Sequence, residues 1–276
     1  MMQFYDSHMH TLYSFDGHDT ADSLCRAAIE QGLSGIAITD HYDVDGMVED
    51  YYRQYDAAAA EAAIMEVKEK YRGRLEVAYG LELGQPYAYP EVSKQLLSTH
   101  PFDFVLGSLH NLLHVPDFSY MKMGHMTERI RELLWERTLD EYELLLDFSE
   151  KNGGAIHSLA HINYPQRYFR LEGVDIDMTK FYDRIAALYR RLIADGMALE
   201  VNTSGLRKGI GITLPGTDLL RLYRDCGGEL ITVGSDAHFV QDVGADIRGT
   251  YAMLRELGFR YAAFYIDGKA VMHPLG

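Results

Sequence analysis

The chain has few cysteines, no long apolar run and no excess of positive charge. Cys25 and Cys226 are its only two cysteines, far apart and outside any CxxC pattern. That excludes a disulfide-stapled scaffold and a zinc knuckle. Both lie on helix-like segments and read as small apolar side chains in a reducing compartment. Lys and Arg number 26 against 41 Asp and Glu, a formal net charge of −15. Such a balance argues against binding long nucleic acids, which needs a basic surface. Part of the deficit can be local, because carboxylates that hold dications are counted as bare negatives. The opening Met-Met-Gln-Phe-Tyr-Asp has no basic region and no long apolar stretch. Neither a signal peptide nor a membrane span is expected, and a cytoplasmic enzyme is. No fixed-period repeat, low-complexity segment or linker interrupts the chain. With 47% apolar residues over 276 positions, 1–276 is expected to form one domain.

What is there is an alternation of strand-like and helix-like segments. Short runs, apolar on both faces, lie at 3–8, 35–39, 75–83, 104–109, 155–160, 197–202 and 230–234. They read as strands of a buried parallel sheet. Helix-like segments lie at 20–31, 49–71, 126–151, 179–195, 219–226 and 244–257, several stopping near a glycine. Seven β/α units can be counted, and 261–266 is a candidate eighth, atypical strand. The stretch 111–127 lacks either pattern and is long for a βα loop, which suggests a lid or substrate-binding loop.

The strand ends carry the chemistry. His8-Met9-His10 follows the first strand, Thr39-Asp40-His41 the second, Glu82 the third, His110 the fourth, His161 the fifth, and Asp236-Ala237-His238 the seventh. Residues two apart on an extended segment point the same way, so His8 and His10 can grip one dication. A carboxylate has two oxygens, so Glu82 can bridge two metals. In an open sheet the edge strands could not share a site; closing the sheet brings every strand end to one rim. Mixed imidazole and carboxylate ligands suit zinc, iron or manganese rather than copper. The supply exceeds the needs of two metals with open positions and suits three. Such a centre activates water for hydrolysis.

These motifs resemble the PHP (polymerase and histidinol-phosphatase) family, and more closely its histidinol-phosphatase branch. The likeness runs from Asp6 to His238. It rests on Asp-Ser-His-Met-His-Thr, Ile-Thr-Asp-His around His41, Gly-Leu-Glu at Glu82, Phe-Asp-Phe-Val-Leu-Gly-Ser-Leu-His ending at His110, and Ser-Asp-Ala-His at the end. It implies an α/β fold, a distorted (β/α)7 TIM-like barrel, with three divalent metal ions. One would be held by His8, His10, Glu82 and Asp236; a second by Glu82, His110 and His161; a third by His41, His238 and a residue of the first loop. Asp16 is favoured for that last place, with His18 the alternative. The segment 161–168 resembles a pattern in which Arg167 meets the substrate phosphate; Asn163 stands where the family often has Asp. Glu200 to Arg207 resembles a second signature, and Arg207 could reach the same phosphate or remain a solvated rim charge.

The resemblance implies hydrolysis of L-histidinol phosphate to L-histidinol and phosphate in histidine biosynthesis. A hydroxide held between two metals over Glu82 would attack, with Glu82, His41, Asp236 and His238 as the catalytic set. Asp40 and Asp103 are candidates to orient ligand histidines, or to be structural. Asp16, Glu82 and Asp236 against three dications leave a positive site, which fits a small phosphorylated substrate. Tyr87, Tyr89, Tyr120, Tyr164 and Tyr168 lie near the expected rim, and most read as packing residues. Three rivals stay open: another small monoester or a nucleotide phosphodiester as substrate, hydrolysis of a carbon–nitrogen bond, or a non-catalytic metal-binding module. No Lys at a strand end is available to bridge metals, as the second rival usually needs. Oligomeric state is not legible.

Overall fold

The computed structural model describes residues 2–276. Its strands are β1 (Tyr5–Asp6), β2 (Gly35–Ile38), β3 (His41–Asp43), β4 (Glu76–Gly84), β5 (Phe104–Ser108), β6 (Ser158–Leu159), β7 (Ala198–Asn202), β8 (Ile231–Gly234), β9 (Tyr261–Ile266) and β10 (Lys269–Pro274). The first eight form one sheet, ordered β1-β2-β4-β5-β6-β7-β8 with every pairing parallel. β3 continues beyond β2 and pairs with the far half of β4, setting His41 opposite Glu82. The edges meet: Ser7 N–H donates to Val233 O and Asp236 N–H to His8 O, both at 2.8 Å. Asp6 reinforces the seam, accepting from Ser235 N at 2.7 Å and Gly244 N at 2.9 Å. The result is a nearly closed barrel of seven parallel strands, as the sequence implies.

The strands are buried on both faces because helices cover the outside. The longest, Glu128–Lys151, is capped by Thr127 and buries Trp135, Leu139, Tyr142 and Leu146. The interior is narrow and filled by small residues, Ala37, Ala78, Ala160 and Ala198, beside Phe104 and Leu106. Among the described residues no helix is long and apolar enough to cross a membrane. Cys25 is buried, Cys226 half-buried, and both are free.

Four elements differ from expectation. Residues 261–266 are no barrel strand: β9 pairs antiparallel with β10. The hairpin lies across the end where strands begin, with Phe264 and Tyr265 packed against Tyr5 and Phe104. Asp267 and Gly268 both have positive φ, 49° and 70°, the twist a two-residue hairpin turn needs. The helix expected at 49–71 starts only at Ala57, where Asp56 caps it through Ala59 N; Asp50 at φ 59° ends the preceding short helix, Val44–Val48. Helices Pro90–Thr99 and Tyr164–Leu171, each with a proline in its first turn, had no assignment from the sequence.

Candidate metal centre

At the opposite rim the strand ends converge on Glu82. Its Oε2 lies 3.0 Å from His8 Nε2, 3.1 Å from His41 Nδ1 and 3.5 Å from His10 Nε2. Its Oε1 lies 2.9 Å from His161 Nε2 and 3.1 Å from His110 Nε2. One fully buried carboxylate thus faces five imidazoles. Asp236 Oδ1 is 3.6 Å from His10 Nε2 and 3.5 Å from His238 Nδ1. Asp16 Oδ2 reaches His238 Nε2 at 2.9 Å, and its Oδ1 lies 3.8 Å from His41 Nε2. His18 is elsewhere, stacked on Phe239 at 4.3 Å. Every expected metal ligand is therefore brought to one place, and of the two loop candidates Asp16 is the one beside the histidines.

The hydrogen bonds behind the imidazoles decide what can sit between them. His8 Nδ1 meets Glu200 Oε1 at 2.5 Å and His110 Nδ1 meets Asp43 Oδ1 at 2.6 Å. His10 Nδ1 meets Ser14 Oγ at 3.1 Å, and that hydroxyl donates to Asp40 Oδ1 at 3.0 Å. In each case the partner accepts, so Nδ1 carries the proton and Nε2 presents a lone pair. Those lone pairs point at the oxygens of Glu82, acceptor against acceptor. His8 and His10 also face each other Nε2 to Nε2 at 3.1 Å. Only positive charge resolves such an arrangement, as protons or as metal ions. Four groups of ligand atoms are each close enough to share an ion: His8, His10 and Glu82; Glu82, His110 and His161; His10, His41 and His238; His41, Asp43 and His110. The residues fit dications of borderline or hard type.

The electrostatics agree. Burial works against ionisation of Glu82, yet His41, His8 and His110 outweigh it and hold the carboxyl well below the usual range. Burial likewise opposes Asp236, and Lys208, His10, His8 and His238 bring it well below. Burial depresses His10, helped by His238 and His41. Asp236 has φ 56° and His161 φ 21°, left-handed backbone in non-glycine residues at the rim. Gly234 is required: a Cβ there would lie 2.3 Å from His8 Cβ and 2.8 Å from Glu200 Oε1.

Asp43 and Glu200 had no role assigned from the sequence, although a Glu inside an otherwise apolar strand must have a partner. Glu200 also accepts from His161 N at 2.9 Å, tying two ligand strands together. Asp40 works indirectly, through Ser14 and Thr11. Asp103 orients no histidine. It lies at the other end of the barrel, accepting from Lys68, Tyr79 N and Asp267 N.

The centre opens into a cavity of ≈ 390 Å³ lined by Asp16, His41, His110, His161, Asp236 and His238, with Tyr52, Asp117, Tyr120, Tyr164, Arg167, Tyr168 and Lys208 on its walls. Asp117 and Tyr120 come from 111–127, which is pinned by buried Phe118 and Met123. Tyr87 and Tyr89 bond Glu141 and Glu49 instead. Arg167 is buried, its guanidinium 4.9 Å above the Tyr164 ring. Its Nη2 donates to Ser204 Oγ at 2.5 Å and Asp236 Oδ2 at 3.2 Å, while its Nε has no partner in the protein. Arg207 does not line the cavity. Its Nη1 donates to Ser235 O at 2.6 Å and its Nη2 to Asp236 O at 2.7 Å.

Comparison with known proteins adds a family and relatives. The PHP domain pattern matches residues 6–204. The chain is 29% identical to the "Probable histidinol-phosphatase" of Thermotoga maritima, with 97% of each chain aligned. It is 24% identical to the histidinol-phosphatase of Lactococcus lactis, over 97% of this chain and 96% of that one. The crystal structure of histidinol phosphate phosphatase from Lactococcus lactis, complexed with zinc, L-histidinol and phosphate, has a TM-score of 0.80 at 23% identity. It covers 98% of this chain and 100% of that one. At that identity the structural likeness speaks for the fold.

Proposed function

We propose that this chain, which belongs to the PHP domain family, is a metal-dependent phosphate monoester hydrolase that converts L-histidinol phosphate to L-histidinol and phosphate. The observation that carries the reading is Glu82, one carboxylate shared by five imidazole nitrogens at the mouth of a barrel. Full-length likeness to histidinol-phosphatases supports the substrate. It also supports a place in histidine biosynthesis, in the cytoplasm, and one functional unit spanning 1–276, since Asp236 and His238 lie beyond the matched segment.

Three sets would hold metal: His8, His10, Glu82 and Asp236; Glu82, His110 and His161; His41, His238 and Asp16. Zinc, iron and manganese all suit these donors. Bound dications would supply an ionised water and positive charge against the phosphoryl oxygens. The chain's own residues do the rest. Arg167 carries a fixed positive charge: burial opposes it, but Asp236, Tyr164 and Tyr168 outweigh that. Arg167 lines the cavity, where its guanidinium can give a phosphate oxygen a charge-assisted hydrogen bond. Glu200, Asp43 and Ser14 hold His8, His110 and His10 in the tautomer that presents Nε2. Asp117, Tyr52 and Tyr120 give the same cavity a carboxylate and aromatic faces, suited to an amine and an imidazole.

The test is phosphate release by protein purified without chelator, from L-histidinol phosphate beside sugar phosphates, nucleotides and a phosphodiester. Selective release from L-histidinol phosphate is expected. Turnover confined to other esters would keep the centre and overturn the substrate.

A further inference from the structure

We propose that Lys208, and not its neighbour Arg207, is the second cation that binds the substrate's phosphoryl group; this rests on the phosphate-ester reading above, though not on which ester it is. The two side chains leave the same tight turn. Helix Ser204–Arg207 ends there, with Lys208 N–H donating to Ser204 O at 2.9 Å. The turn is closely packed at Gly205, where a Cβ would lie 2.2 Å from Ile212 O. Sequence order cannot rank adjacent cations, but the turn sends them to different places.

Arg207 is used up. Two of its nitrogens grip the carbonyls of Ser235 and Asp236, and its Nε lies 3.4 Å from Asp242 Oδ2. It clamps the loop that carries Asp236 and His238, with all three of its nitrogens directed at that loop and the side chain outside the cavity lining. Lys208 lines the metal-centre cavity beside Arg167, Asp236 and His238. Among the described residues it makes no ion pair within 4 Å, yet its charge acts on Asp236 at the cavity wall, where it works against burial and helps to hold the carboxyl low. An ammonium on a flexible stem is a point charge suited to a phosphate oxygen, beside the fork of Arg167. Arg167 is held by Asp236 and Ser204 from behind, so the two cations would approach the phosphoryl group from different strands.

The experiment measures inorganic phosphate binding by calorimetry to zinc-loaded protein, with bound zinc and Tm determined on the same samples. Lys208→Met should weaken phosphate binding roughly tenfold, as expected for one charge-assisted hydrogen bond, with zinc content and Tm unchanged. KM for the monoester should rise by a similar factor, and Lys208→Arg should recover most of both. Arg207→Met should instead lower Tm and zinc content together. Phosphate binding unchanged in Lys208→Met would overturn the proposal. So would a loss confined to Arg207→Met with Tm and zinc intact. Because inorganic phosphate is common to all monoesters, failure of the protein to turn over L-histidinol phosphate would leave this outcome readable.

Discussion

The two ends of the barrel are built from the same strands and solve opposite problems. At the end where strands begin, most polar groups are matched, His273 Nε2 being left without a partner. Asp103 accepts from Lys68, Tyr79 N and Asp267 N, and His157 Nδ1 accepts from Val105 N at 2.9 Å. The β9–β10 hairpin seals that end with Phe264 and Tyr265. At the other end five imidazoles crowd one buried carboxylate, three of them (His8, His10 and His110) acceptor to acceptor, and Gln85, His161 and Asp236 there have left-handed backbone. A buried histidine is thus no marker of function by itself. His8 is fully buried and His157 half-buried; His157 Nδ1 has its partner, and His8 faces Glu82 and His10 across its Nε2. The difference teaches that a site is visible as polar burial that the chain cannot satisfy alone.

The comparison can be broken most forcefully at Glu82. Glu82→Gln keeps the size and removes the charge that all five histidines face, so phosphate release should fall below detection. Full turnover in that variant would remove Glu82 from the centre. Next is the opposite end. Phe264 is fully buried, and Phe264→Ala should cost about 3–5 kcal/mol of stability in denaturant melts while bound metal and kcat stay unchanged. A loss of metal there would show that the two ends are not separable.

Between these lie the carboxylates behind the imidazoles. Glu200→Gln should weaken metal binding about 10–100-fold, read by competition with a chelating dye. An effect on Tm alone would make Glu200 a packing residue. Arg167→Ala should raise KM more than it lowers kcat if the arginine binds ester and transition state alike; unchanged KM and kcat would take it out of the site.

Those residues also mark where the sequence stops being legible. The ligands could be read because each ends a short apolar run, and strand ends share a rim once the sheet closes. Glu200 and Asp43 could not be assigned, because what they touch lies on other strands. Glu200 did carry a signal, a charge inside a buried strand. Asp103 looked like Asp40, both being carboxylates at a strand, but Asp103 precedes its strand and so falls at the sealed end. The hairpin has a turn signal in Asp267-Gly268 directly after the apolar run 261–266, which the reading of that run as an eighth strand left unused. Arg207 and Lys208 are adjacent, and only the folded turn separates them.

The smallest effect concerns His157. Burial pushes its imidazole down to about 4 from the ordinary 6.5. The unfolded chain therefore takes up a proton between pH 6.5 and 4 that the folded chain refuses. Its contribution is whole above 6.5 and is lost as pH falls through that window. The stability difference between the parent and His157→Gln, both stripped of metal, should shrink from pH 7 to pH 4. A difference constant with pH would mean that His157 titrates normally.

The central claim is that the open rim is a shared metal centre, and stoichiometry against turnover tests it most directly. Chelated protein would be titrated with zinc while bound metal and phosphate release from L-histidinol phosphate are followed together. The account predicts no turnover at the first equivalent and full rate only when more than one ion is bound per chain. Full rate with one ion or none would contradict it.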